Sequence, residues 1–184
     1  MPAIKFSDIA STYNEYLDTL YAYALHLGFD DHTAMDAIHD LFYKLCTQHS
    51  SLKEIDNLKF YLFRSLRNRL VDLHRTKREC LSLHLMGEHE GVDLPFQLNV
   101  TVEDELIDKE EAEKIREKVE NVLSRLTPRQ REVIYLRYLQ GCSYEEISEI
   151  MCMSVAGSRN LVSRSIAKLR VASLATFTIF LMVH

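Results

Sequence analysis

The sequence has 184 residues, which suits two small domains but is short for three. With only 5 glycines and 3 prolines, and little strand-like alternation of β-branched residues, it favours an all-α fold. A formal net charge of -5 excludes an evenly spread nucleic-acid-binding surface.

The charges are concentrated in separate segments. Between residues 57 and 78, seven basic residues stand against one acid, and residues 154 to 170 contain four basic residues and no acid. The segment from 103 to 120 contains nine acids and four bases. Two basic segments separated by an acidic one predict a protein that meets a polyanion at two places, although solvated helix faces would have a similar composition.

Residues 1–78 form the first predicted domain. The spacing of apolar residues is helical almost throughout, with breaks near Gly28 to Asp31 and at Ser50-Ser51. Residues 79–101 contain two glycines, one proline and no sustained period, which predicts a flexible linker and the least ordered part of the chain.

The α-helix predicted from Leu58 to about Arg75 has two different faces. Phe63, Leu66, Leu70 and Leu73 share an apolar side. The opposite side is a polar row: Tyr61, Arg64, Asn68, Asp72 and Arg75. Planar groups, cations and an amide suit a separated DNA strand, whose bases stack and whose phosphates need positive charge. Tyr61 as an ordinary core aromatic remains an open alternative.

An upstream helix places Ala34, Ile38, Leu41 and Leu45 on its inner side. Its outer side contains Asp36, His39, Asp40 and Tyr43. These acids could oppose a basic partner, or contribute only to solubility.

Residues 102–171 form the second predicted domain, which begins with a charged helix extending to about Leu126. The sequence Thr127-Pro128-Arg129-Gln130 then starts a helix, because threonine caps the first turn, proline suits the first helical position and glutamine can bond back to the cap. This helix is predicted to run to Leu139 and stop at Gly141.

Two further helices complete this domain. Ser143 to Glu146 repeats the capping pattern and opens a short helix to about Ile150, and Ser154 caps a last helix to about Val171. Two helices joined by a short turn, with a basic second member, are typical of a helix-turn-helix whose second helix lies in the DNA major groove. Many such hairpins are only structural.

At about 100° per residue, the last helix separates into two faces. Ser158, Val162, Ser165 and Leu169 fall on the inner face. The outer face and its flanks contain Arg159, Asn160, Ser163, Arg164 and Lys168. Arginine matches guanine edges and phosphates, asparagine can pair with adenine, and small residues permit close approach, so this face is predicted to bind DNA.

The remaining features exclude other classes. The sequence has four cysteines: Cys46, Cys80, Cys142 and Cys152. They form no CxxC pair, and no histidine stands at ligand spacing, so neither a metal site nor a cofactor is predicted. The cysteines are expected to be reduced thiols in a cytoplasm. No signal peptide is expected. The apolar residues within 172–184 are too few for the roughly 20 of a membrane span, which predicts a hydrophobic tail that packs on protein rather than a stable membrane insertion.

Taken in order, these motifs resemble the sigma-70 superfamily of bacterial RNA polymerase. Leu126 to Ile134, Ser143 to Ile147 and Ser163 to Arg170 resemble its second conserved domain, and Asp36 to Leu45 with Tyr61 to Arg75 resemble the first. The resemblance covers roughly residues 10–78 and 102–170. The absence of the additional domains of housekeeping members points to the extracytoplasmic-function class.

This resemblance implies a division of labour. The first domain is expected to bind core RNA polymerase and to open the −10 promoter element, and the second to contact the polymerase flap and read the −35 element. The implied core-binding residues are Asp36, His39, Asp40 and Phe42. The polar row from Tyr61 to Arg75 becomes the −10 surface, and the set from Arg159 to Lys168 becomes the −35 surface. The linker is expected to thread toward the RNA exit channel, and catalysis would belong to the polymerase.

Two departures from the family pattern carry consequences. His39 stands where the family usually has glutamine, which changes a polymerase contact. Gly157-Ser158 replaces a threonine–valine pair, which is expected to weaken helix initiation and remove an apolar anchor.

Other classes account for less of the sequence. A helix-turn-helix regulator that acts without polymerase would leave the first domain without a role, and a redox or metal sensor would rest on dispersed cysteines and histidines. An enzyme would need a nucleophile with a base or a phosphate-binding glycine loop, and neither pattern is present. The existence of an anti-sigma factor stays open.

Overall fold

The computed structural model describes residues 6–48, 52, 55–81, 94–98 and 109–182. Within these ranges the regular structure is helical: α1 (Phe6–His26), α2 (Asp31–Gln48), α3 (Leu58–Leu81), α4 (Lys109–Ser124), α5 (Pro128–Ile134), a π-helical turn (Tyr135–Leu139), α6 (Tyr144–Ile150) and α7 (Val155–Met182). The chain divides into two compact units, one ending at Leu94 and one beginning at Pro95, with Glu149–Cys152 grouped with the first. The predicted all-α class with two units is confirmed.

The first unit is a three-helix domain in which α1, α2 and α3 pack against one another. Gly28 ends α1 with φ +85°, a conformation that favours glycine, and the Phe29 amide donates to the Ala24 carbonyl at 3.3 Å. Asp30 then caps α2, because its carboxylate accepts from the Thr33 amide at 2.9 Å. The break predicted here is therefore confirmed by two complementary caps.

The core of the first unit is large and apolar. Tyr23 of α1 and Phe63 of α3 are fully buried, with ring centroids 5.0 Å apart. Leu66 and Leu70 repeat the inward spacing along α3. The helix itself ends at Leu81 and not near Arg75, so the first residues of the predicted linker are helical.

The second unit confirms each predicted cap. Thr127 and Gln130 form a reciprocal capping box at the start of α5. The Ser143 amide donates to Glu146 Oε2 at 2.6 Å, and the Glu146 amide donates to Ser143 Oγ at 3.1 Å. Ser154 Oγ accepts from the Gly157 amide at 3.0 Å at the start of α7. Local polar chemistry therefore sets these helix starts.

The helix that begins at Pro128 ends near Leu139, as predicted, but its last five residues form a wider turn. The Gln140 amide donates to the Tyr135 carbonyl at 3.1 Å, five residues back, and Gly141 follows with φ +70°. This turn leaves Tyr138 and Leu139 about 60% exposed, at 58% and 60%.

Two segments differ from the sequence-based prediction, and a third lies outside the described residues. Helix α7 continues to Met182, beyond the predicted end at about Val171, while the packing predicted for the tail concerns side chains outside those described. Within the predicted linker, Phe96 is fully buried and its ring centroid lies 5.5 Å from that of Tyr135. Residues 82–93 and 99–108, with the predicted start of the charged helix, lie outside the described residues.

Candidate nucleic-acid and protein interfaces

The outer side of α2 presents Asp36, His39, Asp40 and Tyr43, which we call the α2 surface. The Asp36 side chain is 65% exposed. Phe42, predicted as a contact residue, lies instead in the core at 5% exposure, because it follows Ile38 by four residues on the inner face. Phe42 therefore supports this surface from below.

Three of the four members of the α2 surface contact a neighbouring side chain. His32 Nδ1 lies 3.1 Å from Asp36 Oδ2, and Arg69 Nη2 of α3 lies 2.7 Å from Asp40 Oδ2. Tyr13 of α1 contacts His39. Neither Tyr13 nor Arg69 was predicted as part of this surface, since both are distant in sequence and no local pattern links them to α2.

The polar side of α3 agrees with the predicted row in all but one position. Arg64, Asn68, Asp72 and Arg75 are exposed, whereas Tyr61 is half-buried. At 1.5 Å per residue these four extend over about 16 Å of helix. The Arg64 guanidinium lies 5.9 Å from the centroid of the Phe60 ring. Arg67, a member of the basic segment, is buried and does not belong to the row.

The outer side of α7 also follows the prediction. Arg159, Asn160, Ser163, Arg164 and Lys168 are all exposed. Ser158 and Ser165 are completely buried on the opposite side, and Val162 is buried between them. The helix therefore presents three basic side chains outward and packs through small residues.

Ser158 makes a contact that the sequence did not reveal. Its hydroxyl donates to the Tyr144 carbonyl of α6 at 3.0 Å and lies 2.8 Å from the Val155 carbonyl. The apolar anchor that was expected to be missing is thus replaced by a hydrogen bond between the two helices. Gly157 has little room for a side chain, because an added Cβ would lie 3.0 Å from Ser154 Oγ.

Arg159 is oriented by two residues at the start of α6. Its guanidinium lies 3.2 Å from Glu145 Oε1 and 5.3 Å from the centroid of the Tyr144 ring. The backbone amide of Glu145 itself and then Arg159 lower the pKa of the Glu145 carboxyl. Arg137 lies 4.6 Å from the same ring and donates to the Cys142 carbonyl at 2.7 Å. Tyr144 thus contacts two guanidinium groups.

Lys168 is linked to the start of α5. Its Nζ donates to Gln130 Oε1 at 3.0 Å, and the same oxygen accepts from the Thr127 amide at 3.1 Å. Gln130 is buried. One predicted DNA contact therefore also ties α7 to a helix cap, and Gln130 is a supporting residue that sequence reasoning treated only as a cap.

Neither a metal site nor a membrane span is found in the described part of the chain. No group of three or more His, Cys, Asp and Glu side chains there could hold a metal ion. None of the helices described has the length and apolar character needed to cross a membrane.

Comparison with known families matches both units. Residues 12–79 match the family model "Sigma-70 region 2", and residues 116–169 match "Sigma-70, region 4". Together they cover about two thirds of the chain.

Two curated relatives from Bacillus subtilis span most of the sequence. RNA polymerase sigma factor SigZ is 25% identical over 163 residues, which cover 89% of this chain and 85% of the relative. ECF RNA polymerase sigma factor SigM is 26% identical over 164 residues, which cover 88% and 93%.

Solved structures share the fold. The sigma factor RpoE, in complex with the anti-sigma factor NepR from Bartonella quintana, matches with a TM-score of 0.59 and 23% identity, over 90% of this chain and 96% of that one. CnrH, in complex with the cytosolic domain of CnrY, matches with a TM-score of 0.52 and 20% identity, over 91% and 88%.

Proposed function

The chain belongs to the sigma-70 family, as an alternative sigma factor of the extracytoplasmic-function class. We propose which of its surfaces bind core polymerase, the −10 element and the −35 element. It binds core RNA polymerase and directs promoter recognition and opening. A helix-turn-helix regulator acting without polymerase is not favoured, because such a protein needs no region 2.

The α2 surface, supported by Phe42, is the proposed site for core polymerase. Asp36, His39 and Asp40 are presented by one helix in adjacent turns, and each is held by a neighbour. Exposed carboxylates suit a basic partner, and the contact with Arg69 reduces the side-chain freedom that Asp40 loses on binding.

The polar side of α3 is the proposed −10 surface. Tyr61, Arg64, Asn68, Asp72 and Arg75 form its members. Arg64 and Arg75 can pair with phosphates, and the Asn68 amide can contact the edge of a base once that base leaves the stack. Tyr61 is half-buried, so only part of its ring is accessible for stacking.

The outer side of α7 is the proposed −35 surface. Arg159, Asn160, Ser163, Arg164 and Lys168 form its members. The observation that carries this proposal is the arrangement of α7 itself: an exposed side with three basic residues and no acid, opposite buried serines that bring the helix close to its support. Glu145 and Tyr144 hold Arg159 ready for a guanine edge or a phosphate.

Three further parts of the proposal follow from family membership. The protein acts in the cytoplasm, where polymerase and promoter DNA are found. It performs no catalysis itself, because nucleotide addition belongs to the polymerase. It is regulated by an anti-sigma factor, which is supported by RpoE of similar fold having been solved with NepR.

Pull-down of core polymerase tests the α2 surface. Asp36→Lys with Asp40→Lys is expected to weaken the complex at least several-fold, because both carboxylates face the partner. Glu15→Lys with Asp18→Lys, at two exposed acids of α1, is the control matched for charge. Since Asp40 also pairs with Arg69, circular dichroism must show that the double variant is folded. Binding equal to that of the native chain, with the fold intact, would remove this assignment.

Permanganate footprinting separates the two DNA surfaces. On a linear promoter, Asn68→Ala is expected to reduce strand opening while closed-complex formation is retained, and a promoter with a pre-opened bubble should restore function. Arg164→Ala should weaken duplex binding on both templates. Opening of the linear template by the Asn68 variant as by the native chain would contradict the −10 surface.

A further inference from the structure

We propose that Tyr13 of α1 is a positioning residue of the polymerase-binding surface, acting by holding the His39 imidazole in one orientation. This inference rests on the proposed function of the α2 surface. Its direct basis is a contact between an aromatic side chain on one helix and an exposed histidine on the next.

The Tyr13 side chain makes two contacts, one through its hydroxyl and one through its ring. The hydroxyl lies 3.1 Å from His39 Nε2, and the two ring planes are 13° from parallel with centroids 6.1 Å apart. The Tyr13 ring also meets Phe42 edge-on, at 5.0 Å between centroids and 69° between planes. Because Phe42 is in the core, Tyr13 connects the orientation of an exposed imidazole to a fixed part of the domain.

The hydrogen bond also determines what His39 can offer to a partner. A neutral imidazole has one donor and one acceptor nitrogen. When the Tyr13 hydroxyl donates to Nε2, the proton of the imidazole resides on Nδ1. His39 is then available as an N–H donor, which suits a carbonyl or carboxylate oxygen of the polymerase.

The same arrangement extends across the surface. Asp36 is held by His32 from α2, His39 by Tyr13 from α1, and Asp40 by Arg69 from α3. Each helix of the first unit therefore contributes one contact, and the His39 and Asp40 side chains are restrained in the free protein by residues of helices other than α2. Ordering in advance removes part of the entropic cost of association.

The test measures equilibrium binding of full-length variants to core polymerase. Tyr13→Phe removes the hydroxyl and keeps the ring on Phe42, so we expect binding about 2- to 10-fold weaker with an unchanged melting temperature. His39→Leu is expected to lose at least as much. His39→Gln should lose less, because an amide oxygen can accept from the Tyr13 hydroxyl. In a His39→Leu background, Tyr13→Phe should have no further effect.

A second measurement does not depend on polymerase. The ¹⁵N shifts of the imidazole in the free protein should report a proton mainly on Nδ1 of His39, and Tyr13→Phe should change that distribution. Native-like binding by Tyr13→Phe, or a loss that persists undiminished beside His39→Leu, would overturn the role of Tyr13. Native-like binding by the Asp36/Asp40 double variant would instead show that the α2 surface is not the polymerase site, and the proposed function of that surface would fail first.

Discussion

Helices α3 and α7 both present a polar side that we propose to bind DNA, but they are held in place by different means. The inner side of α3 buries Leu62, Phe63, Leu66 and Leu70, all without solvent exposure. The inner side of α7 buries Ser158 and Ser165 completely, with Val162 between them. One helix packs through large apolar side chains, and the other through two serines and a valine, of which Ser158 also hydrogen-bonds to α6.

The difference extends to the units that contain them. Buried polar residues described in the first unit are Thr12 and Arg67, whereas those in the second are Gln130, Glu132, Ser148, Ser158 and Ser165. Apolar burial contributes more free energy per side chain, about 1.5 to 3 kcal/mol, than a hydrogen bond does, about 0.5 to 1.5 kcal/mol. Hydrogen bonds are directional, so those from Ser158 to the Tyr144 carbonyl and from Lys168 to Gln130 favour one rotation of α7, with its basic side outward.

The largest expected effect is the loss of a core side chain in α3. Leu66→Ala should lower the free energy of unfolding by about 2 to 5 kcal/mol, because it removes apolar contacts and leaves a cavity. Urea denaturation followed by circular dichroism measures this, and Asn68→Ala, on the exposed side of the same helix, should change stability by less than about 0.5 kcal/mol. Equal losses in the two variants would contradict the difference between the buried and the exposed side of α3.

Arg164 and Lys168, both on the proposed DNA-binding side of α7, are expected to have different effects when replaced. Arg164→Ala should weaken duplex binding by about 1 to 3 kcal/mol and relax discrimination at one base pair if the guanidinium reads a base. Lys168→Ala should lower binding uniformly across sequences, with a shallower salt slope, and also lower stability by about 1 kcal/mol, because its bond to Gln130 is lost.

Fluorescence anisotropy with the native −35 duplex and with single-base variants, over a range of salt concentrations, separates the two effects. A loss of affinity in Arg164→Ala that is the same for every duplex would show that Arg164 contacts phosphate rather than a base. Sequence-dependent loss at Lys168 with unchanged stability would contradict its supporting role.

Ser158 tests the hydrogen-bonded side of α7 directly. Ser158→Ala should destabilise the second unit by about 1 kcal/mol, since the Tyr144 carbonyl loses its donor from α7. Ser163→Ala, five residues along on the exposed side, is the matched control and should be nearly neutral for thermal stability. A stabilising effect of Ser158→Ala would mean that small size, rather than the bond to Tyr144, is what this position requires.

Replacing Tyr135 is expected to have the smallest effect on stability at neutral pH, and an effect on the pH dependence of stability only in alkali. Burial raises the pKa of this phenol to about 12, while the unfolded chain titrates near 10. The folded state therefore favours the protonated form, so the associated stability is complete below pH 10 and is lost as the pH rises toward 12. Tyr135→Phe removes that group, and the difference in unfolding free energy between native and variant chains should shift only in this window.

Much of the fold could be predicted because its signals are local. The capping boxes at Thr127 and Ser143 join residues three apart, and the inner sides of α3 and α7 follow from helical spacing alone. The prediction failed at Phe42, which the motif places among the contact residues although its own helical spacing puts it in the core. Arg67 shows in addition that membership of a basic segment does not imply exposure, because its side chain is buried.

The sequence alone was therefore sufficient to predict the starts of α2, α3, α5, α6 and α7 and the outward side of α3 and α7, since these depend on residues within one or two turns. Only the tertiary structure decided which side chains meet across helices. Tyr13 reaches His39 over 26 positions, Arg69 reaches Asp40 over 29, and Lys168 reaches Gln130 over 38. Such contacts depend on how the helices pack, and neither the charge pattern nor the hydrophobic period of the sequence contains that information. The residues that support the α2 surface and the outer side of α7 were therefore found only in the structure.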